Sequence, residues 1–251
     1  MDGLSERQES LLAAVRTQGF VTIDAMARQF DVSAQSVRRD IIHLDQMGLL
    51  QRFHGGAGPV GGVGRLDYRQ KQVLERDAKA GIGRRAADLI PPGASVFLDV
   101  GTTVEAVAAA LAVRQGLRIF TSSLACAQVL IESGNDVFVF GGAVLGPDGS
   151  MGGETVLAGL RDTRFDFAVL GFSGVDSDGA LMDYDAHKIA VKRTAASRSA
   201  CVMAVGTSTK LARVALRRII PAEDLQILVT DKVADQGEAM RQGGVEVIAA
   251  A

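Results

Sequence analysis

Seven short apolar runs between residues 94 and 249 limit the fold more than any other feature of this chain. They are "ASVFLDV" (94–100), "LRIFT" (117–121), "DVFVF" (136–140), "FDFAVLG" (165–171), "CVMAV" (201–205), "LQILVT" (225–230) and "VEVIA" (245–249). Helical patterns stand between most of them, as in "TVEAVAAALAV" (103–113) and "LACAQVLIESG" (124–134). β-branched runs alternating with helices predict an α/β domain with a mainly parallel sheet covered on both faces. Ligands of such sheets bind beyond the carboxyl ends of the strands. The residues that follow each run are therefore the first place to look for a site.

The most informative of these ends is "FLDVGTTVEAV". A strand stops at Asp99, Gly101 turns, and Thr102 and Thr103 open a helix. Unpaired amides at a helix start, two hydroxyls and the helix dipole together make an anion cradle the size of a phosphate. Other strand ends add polar groups: Thr121 and Ser122 in "TSS", Gly141 and Gly142, and Gly153 and Glu154 in "SMGGE". Each could equally be an ordinary turn between strand and helix. Next comes "GFSGVDSDGALMDYDAHKIAVKR" (171–193), where Asp183, Asp185 and His187 precede a helix carrying Lys192. Carboxylates accept bonds from ligand hydroxyls, and lysine pairs with phosphate; the plain alternative is a solvated, acid-capped helix.

The front of the chain has a different rhythm. Ser5 caps a first helix over 5–18 with Leu11, Leu12 and Val15 on one face, and Gly19 stops it. Thr22 caps a second with Ile23, Met26 and Ala27. Asp31-Val32 is a turn, and Ser33 caps a third helix on which Val37, Ile41 and Leu44 share one side. Gln35 and Arg39 then face away, with Arg38 on the flank, and Gly48 ends the helix. Two helices, a tight turn and a third helix with glutamine and arginine outward form the helix-turn-helix layout. Arginine can bond guanine O6 and N7, and glutamine adenine N6 and N7, in the major groove of double-stranded DNA. "LLQRFHGGA" reads as a short hairpin, or wing, with Arg52 and His54 at phosphates and glycines allowing close backbone approach.

Bulk charge argues neither way. The net charge is −2, and residues 1–57 hold six arginines against seven carboxylates. Residues 58–85 carry seven basic side chains against three acidic ones, so the back of the chain is the acidic part. Four glycines within 58–64 mark a hinge, after which a charged helical run holds Arg65, Arg69 and Lys71 at its start. These three either touch DNA without reading sequence or are solvated, the second being the favoured reading. The organisation expected is a head at 1–57, a linker at 58–77 and a second domain at 78–251. Cys126 and Cys201 read as two buried free thiols. The scattered His43, His54 and His187 give no metal site, and no cofactor is called for. No apolar run approaches the roughly 18 residues of a membrane span. The N-terminus lacks a secretory pattern, so a cytoplasmic protein with no membrane partner is expected.

"VSAQSVRRDIIHLDQMGLLQRFHGGA" resembles the signature of the DeoR family of bacterial repressors: V-S-x-x-T-[IV]-R-R-D-L, then G-x-L, then R-x-H-G-G-A. Ser36 stands where threonine is usual and Ile41 where leucine is usual. The family's second domain, a sugar-phosphate sensor related in fold to ribose-5-phosphate isomerase, has hallmarks that recur here in order. They are D-x-G-T-T, T-N-S or T-N-N (with Ser122 for the asparagine), G-G, G-[IV]-D, and a lysine-arginine pair after an acidic segment. The resemblance covers almost the whole chain. It implies a winged helix-turn-helix with Ser33, Gln35, Ser36, Arg38, Arg39, Arg52, His54 and Gly55 at a DNA operator. It implies Gly101, Thr102 and Thr103 at the phosphate of an effector, with Asp183, His187, Lys192 and Lys210 completing the pocket. The function implied is a repressor of carbohydrate or glycerol catabolism, released by a phosphorylated ligand such as glycerol 3-phosphate and working as a homodimer or homotetramer. One departure bears on the ligand. The family's D-x-S-K is "TSTK" here, so Thr207 replaces an aspartate while Lys210 is kept. The rival readings are a sugar-phosphate isomerase with an added head, using Asp99 or Asp183 as base, and a winged helix that binds protein instead of DNA.

Overall fold

All seven apolar runs become strands of one sheet. In the computed structural model, which describes residues 4–18, 21–53, 56–58, 68–233 and 235–250, the front holds α1 (Glu6–Gln18), β1 (Val21–Thr22), α2 (Ile23–Phe30), α3 (Ala34–Gln46), β2 (Gln51–Phe53) and β3 (Gly56–Gly58). Two helices follow, α4 (Tyr68–Val73) and α5 (Arg76–Asp88), so part of the segment read as linker is helical. Then come β4 (Ser95–Leu98), α6 (Thr102–Ala112), β5 (Arg118–Thr121), α7 (Leu124–Leu130), β6 (Asp136–Val139), β7 (Ala143–Val144), β8 (Met151–Gly152), α8 (Glu154–Arg161) and β9 (Phe165–Gly171). The chain ends with β10 (Gly174–Val175), β11 (Leu181–Asp183), α9 (Ala186–Ser197), β12 (Ser199–Val205), α10 (Ser208–Leu211), β13 (Arg217–Ile220), β14 (Ile227–Thr230), α11 (Asp235–Gln242) and β15 (Glu246–Ala249).

The large sheet has the order β15-β14-β12-β9-β4-β5-β6, and every pairing in it is parallel. Its residues alternate between two cores, as a pleat requires. Phe97, Ala168, Leu170, Val202, Ala204 and Leu228 enter one core with α8, α9 and α11. Val96, Leu98, Val169, Met203, Val205 and Val229 enter the other with α5, α6 and α7. Burial on both faces explains why the inner strands read as continuous apolar runs; the edge strands β6 and β15 are largely exposed. From β4 the chain winds outward through β5 to β6, then returns to lay β9 on the other side of β4. The topological switch point therefore lies between β4 and β9, which is where ligands sit in open α/β sheets.

Two smaller sheets were not legible in the sequence. β7 and β8 form an antiparallel ribbon, and β10-β11-β13 form a three-stranded antiparallel sheet. The second of these carries Asp183 at the end of β11 toward the switch point. In the head, β2 and β3 form the expected hairpin, and β1 adds a third strand beside β3.

The contact of α5 with α6 rests on a glycine. A Cβ at Gly83 would stand 2.4 Å from the Ala106 carbonyl oxygen. Glycine to alanine inside a helix ordinarily gains about 1 kcal/mol, but overpacking against immovable backbone costs about 1–3 kcal/mol. The clash wins here because two helix backbones would have to separate. Gly83→Ala is expected to lower the melting temperature by several degrees in a thermal melt; an unchanged or raised value would show that the helices can part freely.

Candidate functional site

Two surfaces collect the candidate residues, and the first is the outer side of α3. Thr22 caps α2 by accepting from the Ala25 N–H at 3.1 Å, and Ser33 caps α3 by accepting from the Ser36 N–H at 3.2 Å. Between them Asp31 takes the left-handed conformation (φ 51°), which closes the turn. Val37, Ile41 and Leu44 are buried in the head's core. Asp40 ties α3 to α1, accepting from Arg7 Nε at 2.6 Å and Gln8 Nε2 at 3.2 Å. These fixed points leave Gln35, Arg38 and Arg39 exposed. Neither arginine has an intramolecular partner among the described residues, so each keeps its full set of donors. Ser33 and Ser36 are used differently: their hydroxyls bond each other at 3.0 Å within the cap. Arg52 is exposed on β2, its N–H donating to Asp45 Oδ1 at 2.9 Å. His54 and Gly55 lie outside the described residues.

The second surface is a cleft at the switch point. β4 ends at Leu98, and Asp99 Oδ2 accepts the Gly171 N–H from the end of β9 at 3.0 Å, locking the two strand ends together. Gly101 then takes φ 124° as the cap of α6, a conformation that favours glycine. The first N–H groups of a helix have no intrahelical acceptor, so the start of α6 presents donors into the cleft, which Gly101, Thr102 and Thr103 line. Four lysines line it as well: Lys71 from α4, Lys188 and Lys192 from α9, and Lys210 from α10.

The lysines differ in their pairing. Lys192 Nζ is buried and donates to Asp99 Oδ2 and to the Gly171 carbonyl at 2.6 Å, with Asp183 Oδ2 at 3.4 Å. Burial opposes charge on both partners, pulling the Asp99 carboxyl up and working against the ammonium. The geometry decides for a charged Lys192: three oxygens surround its nitrogen, and the two carboxylates raise its pKa against the effect of burial. Lys188 pairs with Asp148; burial pushes that carboxyl up, but the lysine outweighs it and holds Asp148 below its usual value. Among the described residues Lys210 has no carboxylate within ion-pair distance, and it stands 5.7 Å from the ring centroid of Phe172. The residue as a whole is half-buried, yet burial of its ammonium, helped by the nearby charge of Lys71, pushes its pKa down to about 8. Two crowded ammonium groups beside the unpaired amides of a helix start have the chemistry an anion requires.

Unpaired buried atoms point to the same place. Among the described residues, Asp99 Oδ1, Thr103 Oγ1, Ser133 Oγ and Ser150 Oγ are buried without a hydrogen-bond partner. Thr103 lines the cleft, while Asp99 and Ser150 line an adjoining hollow with Ser122, His187 and Lys188. Such orphans are costly unless a ligand or water completes them. The cleft measures about 70 Å³, small beside the roughly 300–1,000 Å³ of drug-sized ligand pockets, so its ligand is compact. A larger hollow of about 690 Å³ between α4, α5 and α6 is lined by alanines, Gln72, Val73, Arg76, Lys79, Arg84 and Glu105, with Thr102 at its edge. None of the orphaned buried atoms among the described residues lines it, and the chemistry, not the size, favours the cleft.

The expected residues therefore divide. Asp99, Gly101, Thr102, Thr103, Asp183, Lys192 and Lys210 gather at the switch point, with Ser122 and His187 beside them. His187 is exposed and lies inside the first turn of α9, not before the helix, while Asp185 is spent as its cap, accepting from the His187 and Lys188 N–H groups. Thr121, Gly141, Gly142, Gly153 and Glu154 line neither the cleft nor the adjoining hollow. Thr121 Oγ1 is engaged with the Leu98 carbonyl and the Ser123 N–H. A Cβ at Gly142 would meet the Gly152 carbonyl oxygen at 2.5 Å, a packing constraint. Gly153 caps α8, and Glu154 pairs outward with Arg161.

Three lining residues with polar side chains and no earlier reading are Lys188, Asp148 and Ser173. Lys188 was within reach, since it precedes Lys192 by four residues and shares its helix face. Lys71, read above as a DNA contact or a solvated charge, belongs to the cleft instead. At Thr207 the missing carboxylate is supplied from elsewhere. The Thr207 hydroxyl is buried and donates to Glu75 Oε2 at 2.8 Å. Cys126 is buried, its thiol pushed up to about 12 by burial, whereas Cys201 is only half-buried; both are free.

Residues 7–60 match the DeoR-like helix-turn-helix domain, and residues 74–232 match the DeoR C terminal sensor domain. The glycerol-3-phosphate regulon repressor of Haemophilus influenzae is 35% identical over 92% of this chain and 91% of its own length. The HTH-type transcriptional repressor CsqR of Escherichia coli is also 35% identical, over 90% of this chain and 87% of its own. Equal identity to two differently named repressors leaves the choice of ligand to the site itself. Among solved structures, ribose 5-phosphate isomerase A of Methanocaldococcus jannaschii aligns over 55% of each chain at 12% identity, with a TM-score of 0.42.

Proposed function

The chain belongs to the DeoR family, and on that footing we propose that it is a sequence-specific transcriptional repressor which leaves its DNA operator when a small phosphorylated ligand fills the cleft at the switch point. The observation that carries this reading is the helix start at Gly101–Thr103 sharing a cleft with the ammonium of Lys210, which has no ion-pair partner among the described residues. Glycerol 3-phosphate fits the reading best: it is compact, one end is a phosphate, and its hydroxyls suit Asp183 and the orphaned Thr103 hydroxyl. Gln35, Arg38 and Arg39 read the major groove, with Arg52 and the wing at phosphates. Each head reads one half-site, so a symmetric homodimer or homotetramer pairs two heads. The head is taken as 1–57, the linker as 58–77 and the sensor as 78–251, acting in the cytoplasm where the operator is.

The isomerase reading is disfavoured by the site. A general base must take a proton from the substrate carbon, and both candidates, Asp99 and Asp183, are held against the Lys192 ammonium, so protonating either would cost that ion pair. The test is a gel shift on the DNA upstream of the protein's own gene, with and without glycerol 3-phosphate and a panel of sugar phosphates. Release is expected with a compact phosphate; binding unchanged across the panel would remove the sensor half, and turnover of a sugar phosphate would restore the enzyme.

The pKa of Lys210 gives a second check. A phosphate dianion favours the protonated lysine, so above pH about 8 the complex must take up a proton that the free protein has lost. Ligand affinity should be flat with respect to this group below pH about 8 and fall by up to about tenfold per unit above it. Calorimetry across that range reads the slope, and Lys210→Met should weaken binding and abolish the slope together. A wild-type affinity that rises above pH 8 would remove Lys210 from the site.

A further inference from the structure

The cleft borrows one of its lysines from the segment that leads to the head. Residues 59–67 separate the last described strand of the head from α4, and α4 brings Lys71 into the cleft. Three attachments hold α4 and its junction with α5. Tyr68 Oη donates to Glu105 Oε1 at 2.8 Å, one turn into the helix whose start is the anion cradle. The buried Lys79 Nζ donates to the carbonyls of Lys71 and of Leu74, at 2.6 Å for the latter, closing off the end of α4. Glu75 adopts a left-handed backbone (φ 52°), and its carboxylate accepts from Thr207 near Lys210. A non-glycine residue persists in that conformation only where its surroundings hold it.

We propose that α4 is a strap through which ligand occupancy reaches the DNA-binding head: the ligand's anionic group draws Lys71 inward, and Tyr68 on Glu105 fixes the segment from which the tether departs. This rests on the reading of the cleft as an anionic-effector site and adds how that site is coupled. A ligand shifts an equilibrium only as far as it prefers one state. Lys71 supplies that preference, because it can meet the ligand only when α4 is docked. Lys192 and the Gly101 turn are held by contacts that do not involve α4 and contribute no such preference.

The experiment measures operator affinity by fluorescence anisotropy, without and with saturating glycerol 3-phosphate, for wild type and Tyr68→Phe, with ligand binding followed separately by calorimetry. Tyr68 does not line the cleft, so a residue of merely local importance there would leave the saturated release ratio unchanged. Tyr68→Phe is expected still to bind ligand while its release ratio falls at least about fivefold, the lower end of ordinary allosteric coupling. If that variant fails to fold, Lys71→Met decides by the same ratio, since a residue that only added affinity would weaken binding and leave saturated release intact. Ligand binding with a wild-type release ratio in the folded variant overturns the strap alone. A wild-type ratio of one overturns the effector reading and the strap with it.

Discussion

Arg38→Ala combined with Arg39→Ala is expected to weaken operator binding at physiological salt by on the order of a thousandfold. Each well-placed arginine on a base edge is worth about 1–3 kcal/mol, so the pair is worth about 4 kcal/mol, and every 1.4 kcal/mol is a factor of ten. The fold should not feel the change. Both side chains are exposed and without partners among the described residues, while the core contacts of α3 run through Val37, Ile41 and Leu44. Exposed substitutions of this kind usually stay within about 0.5 kcal/mol. An unchanged thermal melt alongside lost binding would place the defect at the interface. Salt titration separates the two arginines. One that reads a base costs affinity on the operator but little on unrelated DNA, and one that grips phosphate reduces the salt slope by about one on both. A double variant that melts normally and keeps operator affinity would mean that α3 does not enter the groove. The winged helix that binds protein would then be the surviving account.

Much of this was legible because its physics is local. The caps Thr22 and Ser33 announce α2 and α3, and the Val37, Ile41, Leu44 spacing fixes which face of α3 turns outward. The inner strands announce themselves because burial on both faces makes them continuous apolar runs, while β6 at the sheet edge is apolar although largely exposed. The cradle at Gly101–Thr103 follows from a strand end, a glycine and two threonines in succession. What escaped depends on distant pairing. β10 and β11 have two and three residues, too few for a period to show, and it is their pairing with β13 that sets Asp183 at the cleft. Asp148 enters through a turn and a partner forty residues away, Lys188. Glu75 reaches Thr207 across 132 positions, which no local pattern encodes. Thr121 and Glu154 lie outside the cleft for the opposite reason: strand ends attract attention, but the first is occupied by backbone groups of Leu98 and Ser123 and the second faces solvent with Arg161.

The cleft's own stability depends on Lys192, and the variant that removes it should be the least stable single substitution in the sensor. Lys192→Met deletes the ammonium held between Asp99 and Asp183, at residues whose side chains are 2%, 1% and 8% exposed. Taking one partner from a buried ion pair costs about 3–5 kcal/mol, because the remaining charge has neither water nor counterion. In a chain of this size each kcal/mol lowers the melting temperature by about 2–4 °C, so the expected drop is roughly 6–20 °C. The double variant Asp99→Asn with Lys192→Met should recover part of that loss, since methionine packs and asparagine leaves no charge behind. Acid should help the single variant in the same way. Burial already raises the Asp99 pKa, and without Lys192 it rises further. The folded state then binds a proton more tightly than the unfolded chain, so stability grows as pH falls below the folded value and levels off below the unfolded one, about 3.9. The gap between variant and wild type is thus widest at neutral pH and narrows in mild acid. A single variant whose melting temperature matches wild type at pH 7 would mean that Lys192 and Asp99 are not a charged pair in the folded protein. The charge available to the ligand would then come from Lys71, Lys188 and Lys210 alone.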